Sequence, residues 1–411
     1  MIYLKLYYIT VPIEKILNIA YYSDNLKYKF IKGWMKMHKL NEILCTNLRH
    51  KLHENAEISG NENKTMDILI DFLKNNTKFN VVKKDGYFYA EKISNKNELN
   101  IAFRADMDAI SMEETTDIEY KSNNALAAHK CGHDGHCAIL IGLALEIEEN
   151  PIDDKNIFLV FQPSEEVGEG ARKIVVNGFL TENNIDEIYA LHNIPGYDIG
   201  KILYKRNVFA CASKGIIITL KGTPSHAAYP EYGINPSYAA SDIIRFLNGI
   251  TGSSIFKGMV LCTIVNINIG EQSFGIAASL GEIMLTVRGE NEDDLMKLQN
   301  EILKFVELCC NENKLSYNIS FSDEFPETRN HDNCVNKILE VCVNNNYSCE
   351  ELKYPFRWSE DFGYYLKSVS GVMIGLGDGK LHPQLHTANY DFPDSIIKTG
   401  VDIFYNISKL N

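Results

Sequence analysis

Residues 127–138 read AAHKCGHDGHCA, which places Cys131, His133, Asp134 and His136 within six positions. Three chemistries use such a block: a metal centre, a thiol nucleophile with a histidine base, or a polar turn around a buried cysteine. On a helix, residues two apart point to different faces, so Cys131 and His133 converge only on a bend. Gly132 and Gly135 favour one. Taken alone, the block most often means a structural cysteine. A thiol enzyme needs only a base, which His133 can supply, whereas a metal site needs further ligands from elsewhere. The chain offers them in Glu165 and Glu166 of QPSEE, His192 of ALHN, and His382 and His386 of LHPQLHTANYDF. A thiol hydrolase has no use for two adjacent glutamates, and the metal reading prevails. Neighbours in an extended turn face opposite sides, so one glutamate can hold an ion while the other faces substrate. That division suits metal-assisted hydrolysis, in which a carboxylate takes a proton from an activated water and returns it to the leaving amine.

The elements that must position these groups follow an α/β rhythm. ELNIAFRADMDA, NIFLVFQPSEE and EIYALHN read as buried strands, ending in Asp106 and Asp108, in Glu165 and Glu166, and in His192. NEILCTNLRHKLHENAE, MDILIDFLKNN and CAILIGLALEIEEN carry helical apolar spacing between them. Strands alternating with helices predict a mostly parallel sheet with helices on both faces, and in such sheets the ligand site lies beyond the carboxyl ends of the strands. From about 212 to 322 the texture becomes β-α-β-β-α-β, a compact α+β unit of ferredoxin-like pattern. The expected division is an extension over 1–38, a catalytic unit over 39–211 and 323–411, and an insertion over 212–322. His226, in KGTPSHAAYP, and Arg288, in LTVRGE, lie in this insertion. Nothing local raises either above a loop histidine and a surface strand arginine.

Of 411 residues, 45% are hydrophobic and 23% charged, as in ordinary globular proteins. A net charge of −13, without a basic stripe, argues against nucleic acid as a partner. No apolar run is long enough for a bilayer span. The tyrosine-rich start is interrupted by Lys5, Pro12, Glu14 and Lys15 and does not read as an export signal. Ten irregularly spaced cysteines suggest no disulfide framework and point to a reducing cytoplasm.

RHKLHENAEISGNENKT, FRADMDAI, HKCGHDGHCAILIGLA, FQPSEEVGEGARKIVVNGFL, ALHNIPGYDIGKI, KGTPSHAAYPEYGINP and LHTANYDF occur in this order. Together they resemble the M20 metallopeptidase superfamily, in particular its branch of aminoacylases, hippurate hydrolases and auxin-conjugate hydrolases. The match runs from about residue 40 to the end. The resemblance implies a two-metal catalytic domain with an inserted lid that also makes a homodimer. It further implies Cys131, His133, Glu166, His192 and His386 as ligands and Glu165 as general base. His386 is preferred to His382 because Tyr390-Asp391-Phe392 follows it at the family's distance. Asp106 and Asp108 are implied to orient ligands, His226 to stabilise the developing oxyanion from the lid, and Arg288 to contact substrate. One thiolate, three imidazoles and a carboxylate suit two divalent Zn²⁺, Mn²⁺ or Co²⁺ ions.

The implied activity is hydrolysis of the amide bond in N-acyl amino acids or similar small amines. A dedicated deacetylase, for example of N-acetyl-diaminopimelate, or a dipeptidase is the near alternative. A non-catalytic binding protein of the same fold is the remote one. The chain departs from the family's lid pattern at Asn235, Gly275 and Ala278, in PSHAAYP and around Arg288. These positions bear on substrate recognition and touch neither ligand nor base.

Overall fold

The computed structural model describes residues 37–410 except 95, 97 and 98. The extension expected over 1–38 lies almost wholly outside the described residues. The first strands are β1 (Asn80–Lys83), β2 (Phe88–Lys92), β3 (Leu99–Asp106), β4 (Lys155–Gln162), β5 (Glu187–Pro195) and β6 (Ile202–Tyr204). Then come β7 (Ala212–Lys221), β8 (Val260–Ile269), β9 (Leu280–Gly289) and β10 (Ser316–Phe325). The last are β11 (Cys349–Glu351) and β12 (Ser370–Gly379). Eight strands form one sheet in the order β1-β2-β4-β3-β5-β12-β6-β11. Its centre, β4-β3-β5-β12, is parallel, as the sequence predicts, and antiparallel pairs occur only towards the edges.

Central strands without a polar face need cover on both sides. Along β4, Ile157, Leu159 and Phe161 face one core, while Phe158 and Val160 face the other. The first core is closed by α1 (Met37–Glu54), α2 (Asn63–Asn76) and α3 (His133–Glu149), joined by the later helices Asp332–Asn345 and Ile397–Lys409. The second is closed by α4 (Gly170–Val176) with Phe179, Phe362 and Tyr365. Helix α3 is apolar almost all round because it lies between the sheet, α1 and the C-terminal helix.

A second sheet, in the order β8-β9-β7-β10, is antiparallel throughout. Helices α5 (Ser237–Ile250) and α6 (Glu292–Glu312) pack on one of its faces around Ile216, Ile218, Ile283 and Leu285. Chain order and strand order together give the β-α-β-β-α-β arrangement expected from the sequence. The outgoing segment Asn207–Ala210 pairs with the returning segment Thr328–Asn330, so the two crossings between sheets are bonded to each other. The chain then completes the first unit with α7 (Asp332–Asn345) and α8 (Ile397–Lys409). Among the described residues no helix is long and apolar enough to cross a membrane.

Where α4 begins, backbone meets backbone. A Cβ on Gly170 would fall 1.7 Å from the Pro163 carbonyl oxygen, on the segment that carries Glu165. Gly170→Ala therefore forces that segment aside and is expected to cost about 1–3 kcal/mol. The check is a lowered thermal midpoint; a melt matching the parent chain would show that the loop yields freely.

Candidate metal centre

Three parallel strands end at one place. Asp106 closes β3 and Asp108 follows it; Glu165 and Glu166 follow β4; His192 lies in β5. Cys131 arrives from the loop leading into α3, and His133 is the first residue of that helix. Gly132 makes the bend with φ 98°, and a Cβ there would lie 2.5 Å from Asn193 Oδ1. Gly135 does not share that role, contrary to the sequence reading: it sits in the first turn of α3, where a Cβ would strike the Phe392 ring at 2.4 Å. Two non-glycine residues with left-handed backbone flank the chemistry, Ser164 (φ 53°) before the glutamate pair and His386 (φ 59°) itself. Such conformations cost free energy and persist where surroundings enforce them. Ser164 N–H donates to buried Glu62 at 2.8 Å, and His386 N–H to the Lys130 carbonyl at 2.8 Å.

The donor atoms face one another. One group is Cys131, His133 and His192; a second is Cys131, Glu166 and His386; a third is His133, Glu165 and Glu166. Cys131 Sγ lies 3.5 Å from His192 Nε2, and His386 Nε2 lies 3.3 Å from Glu166 Oε1. Backbone carbonyls only accept, so His133 Nδ1 donates to the Asp108 carbonyl (2.9 Å) and His192 Nδ1 to the Asn193 carbonyl (2.8 Å). Both rings thereby turn an Nε2 lone pair inward. His133 Nε2 and Glu166 Oε1 are buried without a hydrogen-bond partner. Buried polar atoms are otherwise almost always satisfied, and this donor set fits a divalent transition metal.

Acidic neighbours hold the frame. Asp108 accepts from Ser59 Oγ at 2.7 Å and from the Glu166 amide at 3.0 Å. Asp106 accepts from His136 Nδ1 at 2.6 Å and lies 3.6 Å from His133 Nε2. The second ring nitrogen of His136 is engaged by Asn193 at 2.6 Å, so His136 serves the frame. Burial opposes charge on His133, but Asp106 and Asp108 pull its pKa up to about 10. Burial pushes His192 well below the ordinary imidazole range, helped by His136. The Cys131 thiol is pushed well up, first by burial and then by Glu166 and Glu165. The thiol therefore keeps its proton unless a cation draws it off; a bound metal ion would do so, whereas His192, which lies 3.5 Å away and is poorly basic, would not.

Glu165 is 5% exposed, and burial followed by Glu360 and Glu166 raises its carboxyl well above the usual range. Its carboxylate belongs with those of Glu360 and Asp361. Between these acids lies Arg104, buried within the sheet. It donates to Gln162 (2.8 Å), Asp106 (2.6 Å), Glu360 (2.8 Å) and Asp361 (3.0 Å). Behind α3, Asp134 is held by Arg49 at 3.2 Å and by His53 at 2.8 Å. Arg49 also reaches Asp391 at 2.8 Å, beside Phe392. None of Arg104, Glu360, Asp361, Arg49 and His53 was singled out from sequence. The usable signal was a second adjacent acidic pair, in WSEDF, matching QPSEE.

Two predicted positions, His226 and Arg288, stay apart from the cluster, as does His382, the candidate set aside in favour of His386. His382 donates to the Asp391 carbonyl at 2.7 Å. His226 is exposed on a two-residue ribbon, Ser225–His226 paired with Ile276–Ala277, and accepts the Ala228 amide. Arg288 is half-buried and donates to Ser359 Oγ (2.8 Å) and the Arg357 carbonyl (3.2 Å), next to Glu360.

A mostly parallel α/β sheet whose strand ends bring thiol, imidazole and carboxylate together defines a metallohydrolase-type centre. The family model for peptidase family M20/M25/M40 matches residues 102–409, and the chain belongs to that family. It is 30% identical to an N-acetyldiaminopimelate deacetylase of Exiguobacterium sibiricum, over 82% of this chain and 91% of the relative. It is 27% identical to a hippurate hydrolase of Campylobacter jejuni, over 88% of this chain and 94% of the relative. The crystal structure of a dinuclear metal-binding M20 peptidase from Bacillus subtilis superposes with TM-score 0.78 at 22% identity, covering 90% of this chain and 98% of that one.

The frame behind the centre has a pH signature. Burial opposes protonation of His53, yet its hydrogen bonds to Asp134 and Glu114 raise its pKa from 6.5 to about 9. A raised folded-state pKa adds stability that is complete below about pH 6.5 and disappears as pH climbs through about 9. Urea midpoints are expected to fall across that window in the parent chain and to flatten in His53→Gln. Equal slopes in both proteins would exclude His53 as the source.

Proposed function

We propose that this chain is a metal-dependent amidohydrolase that splits the amide bond of N-acyl amino acids or similar small N-acyl amines. The observation that carries the reading is the pair of buried atoms His133 Nε2 and Glu166 Oε1, neither of them hydrogen-bonded among the described residues, which face Glu165 among Cys131, His192 and His386. Because Cys131 belongs to two donor groups, we assign two divalent ions, Zn²⁺, Mn²⁺ or Co²⁺, which Cys131, His133, Glu166, His192 and His386 would hold. When bound, the ions supply Lewis acidity that activates water and polarises the amide carbonyl. Glu165 accepts the water's proton and passes it to the leaving nitrogen; its raised affinity for protons suits that return step. Asp106 and Asp108 fix ligand orientation through His136 and the Glu166 amide. His226 is assigned to the carbonyl oxygen, and Arg288, without a carboxylate partner, to the substrate's polar end. Two relatives whose names denote removal of an acyl group from nitrogen support the reaction class. Free cysteines at all ten positions support a cytoplasmic setting.

The test is amine release from acetyl-, benzoyl- and indoleacetyl-amino acids and from dipeptides. Metal-loaded protein is expected to turn over at least one, EDTA to abolish turnover, and Glu165→Gln to lower it about 10²–10⁴-fold at unchanged metal content. Turnover by the metal-stripped chain would refute the assignment. Release from N-acetyl-diaminopimelate alone, or from dipeptides alone, would move it to the narrower deacetylase or peptidase.

We further propose a homodimer through the unit over 212–322. Strand β8 is an unpaired edge, and it exposes Val265 (58%) and Ile267 (46%), a combination that invites a second strand. Light scattering at micromolar concentration is expected to give twice the chain mass, and a monomer would rule the dimer out.

A further inference from the structure

Glu62 belongs to none of the donor groups, yet its side chain is committed to the loop that carries Glu165. It is 5% exposed and immediately precedes α2. A polar side chain at that position can cap a helix, but Glu62 makes no capping bond. Its Oε1 instead accepts the Ser164 amide at 2.8 Å, 102 residues away in the chain, and the Gly60 amide at 3.0 Å. Ser164 Oγ adds a longer contact to the same oxygen at 3.5 Å.

Ser164 is the residue that needs holding. Its φ of 53° lies in the left-handed region, which costs a serine free energy, and Glu165 follows it directly. A change of φ there would swing the Glu165 carboxylate away from Glu360 and Asp361. Within the loop, the amides of Glu169 and Gly170 hold the Ser164 carbonyl, each at 3.2 Å, while Glu62 holds its N–H. On the far side of Glu165, the Glu166 amide donates to Asp108 at 3.0 Å, and the same Asp108 oxygen accepts Ser59 Oγ at 2.7 Å. Ser59, Gly60 and Glu62 lie in one short turn. The Ala109 amide fastens that turn beside Asp108 by donating to the Glu57 carbonyl at 2.8 Å. Glu165 thus sits between two clamped amides, and a single turn supports both clamps.

We propose that Glu62 is a positioning residue for the general base: it keeps Ser164 left-handed and so fixes the direction from which Glu165 reaches the centre. This rests on the amidohydrolase reading, in which Glu165 is the base, and adds to it a residue outside every donor group. Asp108 still holds the Glu166 amide when Glu62 is removed, so the loss falls on the base and spares the ligands.

In metal-loaded protein, Glu62→Ala is expected to lower kcat about 10- to 100-fold on whichever N-acyl amino acid the parent chain hydrolyses, with KM moved less than about 3-fold. Metal content by elemental analysis is expected to stay at the parent value. Glu62→Gln keeps an acceptor oxygen and is expected to recover kcat to within about 3-fold of the parent. Glycine enters the left-handed region without steric cost, so in a Ser164→Gly background Glu62→Ala is expected to cost less than about 3-fold. Crystal structures of the parent and of Glu62→Ala read the position directly: Ser164 φ is expected to turn negative and the Glu165 carboxylate to leave Glu360 and Asp361. A Ser164 that stays left-handed in Glu62→Ala, equal losses in the two backgrounds, a Glu62→Gln as impaired as Glu62→Ala, or metal lost in step with activity would overturn the proposal. Metal-loaded parent protein that hydrolyses no amide counts against the amidohydrolase reading alone, because the crystal comparison still decides the positioning. If Glu62→Ala does not fold, Glu62→Met, which fills the space without an acceptor, takes its place in each arm.

Discussion

Arg104 is one guanidinium set among buried carboxylates, and the centre's architecture follows from that choice. Asp106, Glu360 and Asp361 are each 0–1% exposed, in a region where an uncompensated charge is costly. The planar fork can address several acceptors in fixed directions, which a lysine cannot do. Burial raises the pKa of Asp106, but Arg104, with His133 and His136, holds it well below the usual carboxylate range. Glu360 and Asp361 stay above that range because burial outweighs the same guanidinium. One cation thus favours the ionised form of the acid on the side of the imidazoles, while burial favours the protonated form of the acids on the side of Glu165. Removing it while leaving its partners in place strands them, which is the expensive way to break a buried ion pair.

A second buried network does for the loops what Arg104 does for the strand ends. Asp134 in the first turn of α3 is gripped by Arg49 and His53 from α1, and Arg49 continues to Asp391 and Asp394. Tyr120 OH donates to Asp391 at 2.6 Å, and Lys130 Nζ to the Tyr390 carbonyl at 2.7 Å. The loop bearing Cys131 and the loop bearing His386 are therefore fastened to each other and to the first described helix. His386 remains half-exposed at the rim, while Cys131, His133 and His192 are inside.

Legibility divided along the range of the interactions. Asp106, Glu165, Glu166 and His192 could be read because each lies at or near the carboxyl end of a short apolar strand, though β5 runs on past His192 to Pro195, and a strand end in an α/β sheet is a local signal. Cys131 and His133 could be read from one bend glycine. The mostly parallel sheet followed from the same runs. Arg104 could not: it interrupts an apolar strand, and its partner Glu360 stands 256 residues away. Arg49 and His53 sit four apart on a helix, a spacing that reads equally as a solvated face; only Asp134, more than 80 residues on, makes it a buried one.

The donor set spans the chain from Cys131 to His386, with the whole second sheet threaded between. A nascent chain leaving the ribosome exposes Cys131, His133, Glu165, Glu166 and His192 long before His386 exists. The second donor group, Cys131 with Glu166 and His386, closes only when synthesis is almost finished. Closure of that group is thus a late step in biogenesis, and a truncated product that ends within the second sheet lacks one of the two three-residue groups that share Cys131.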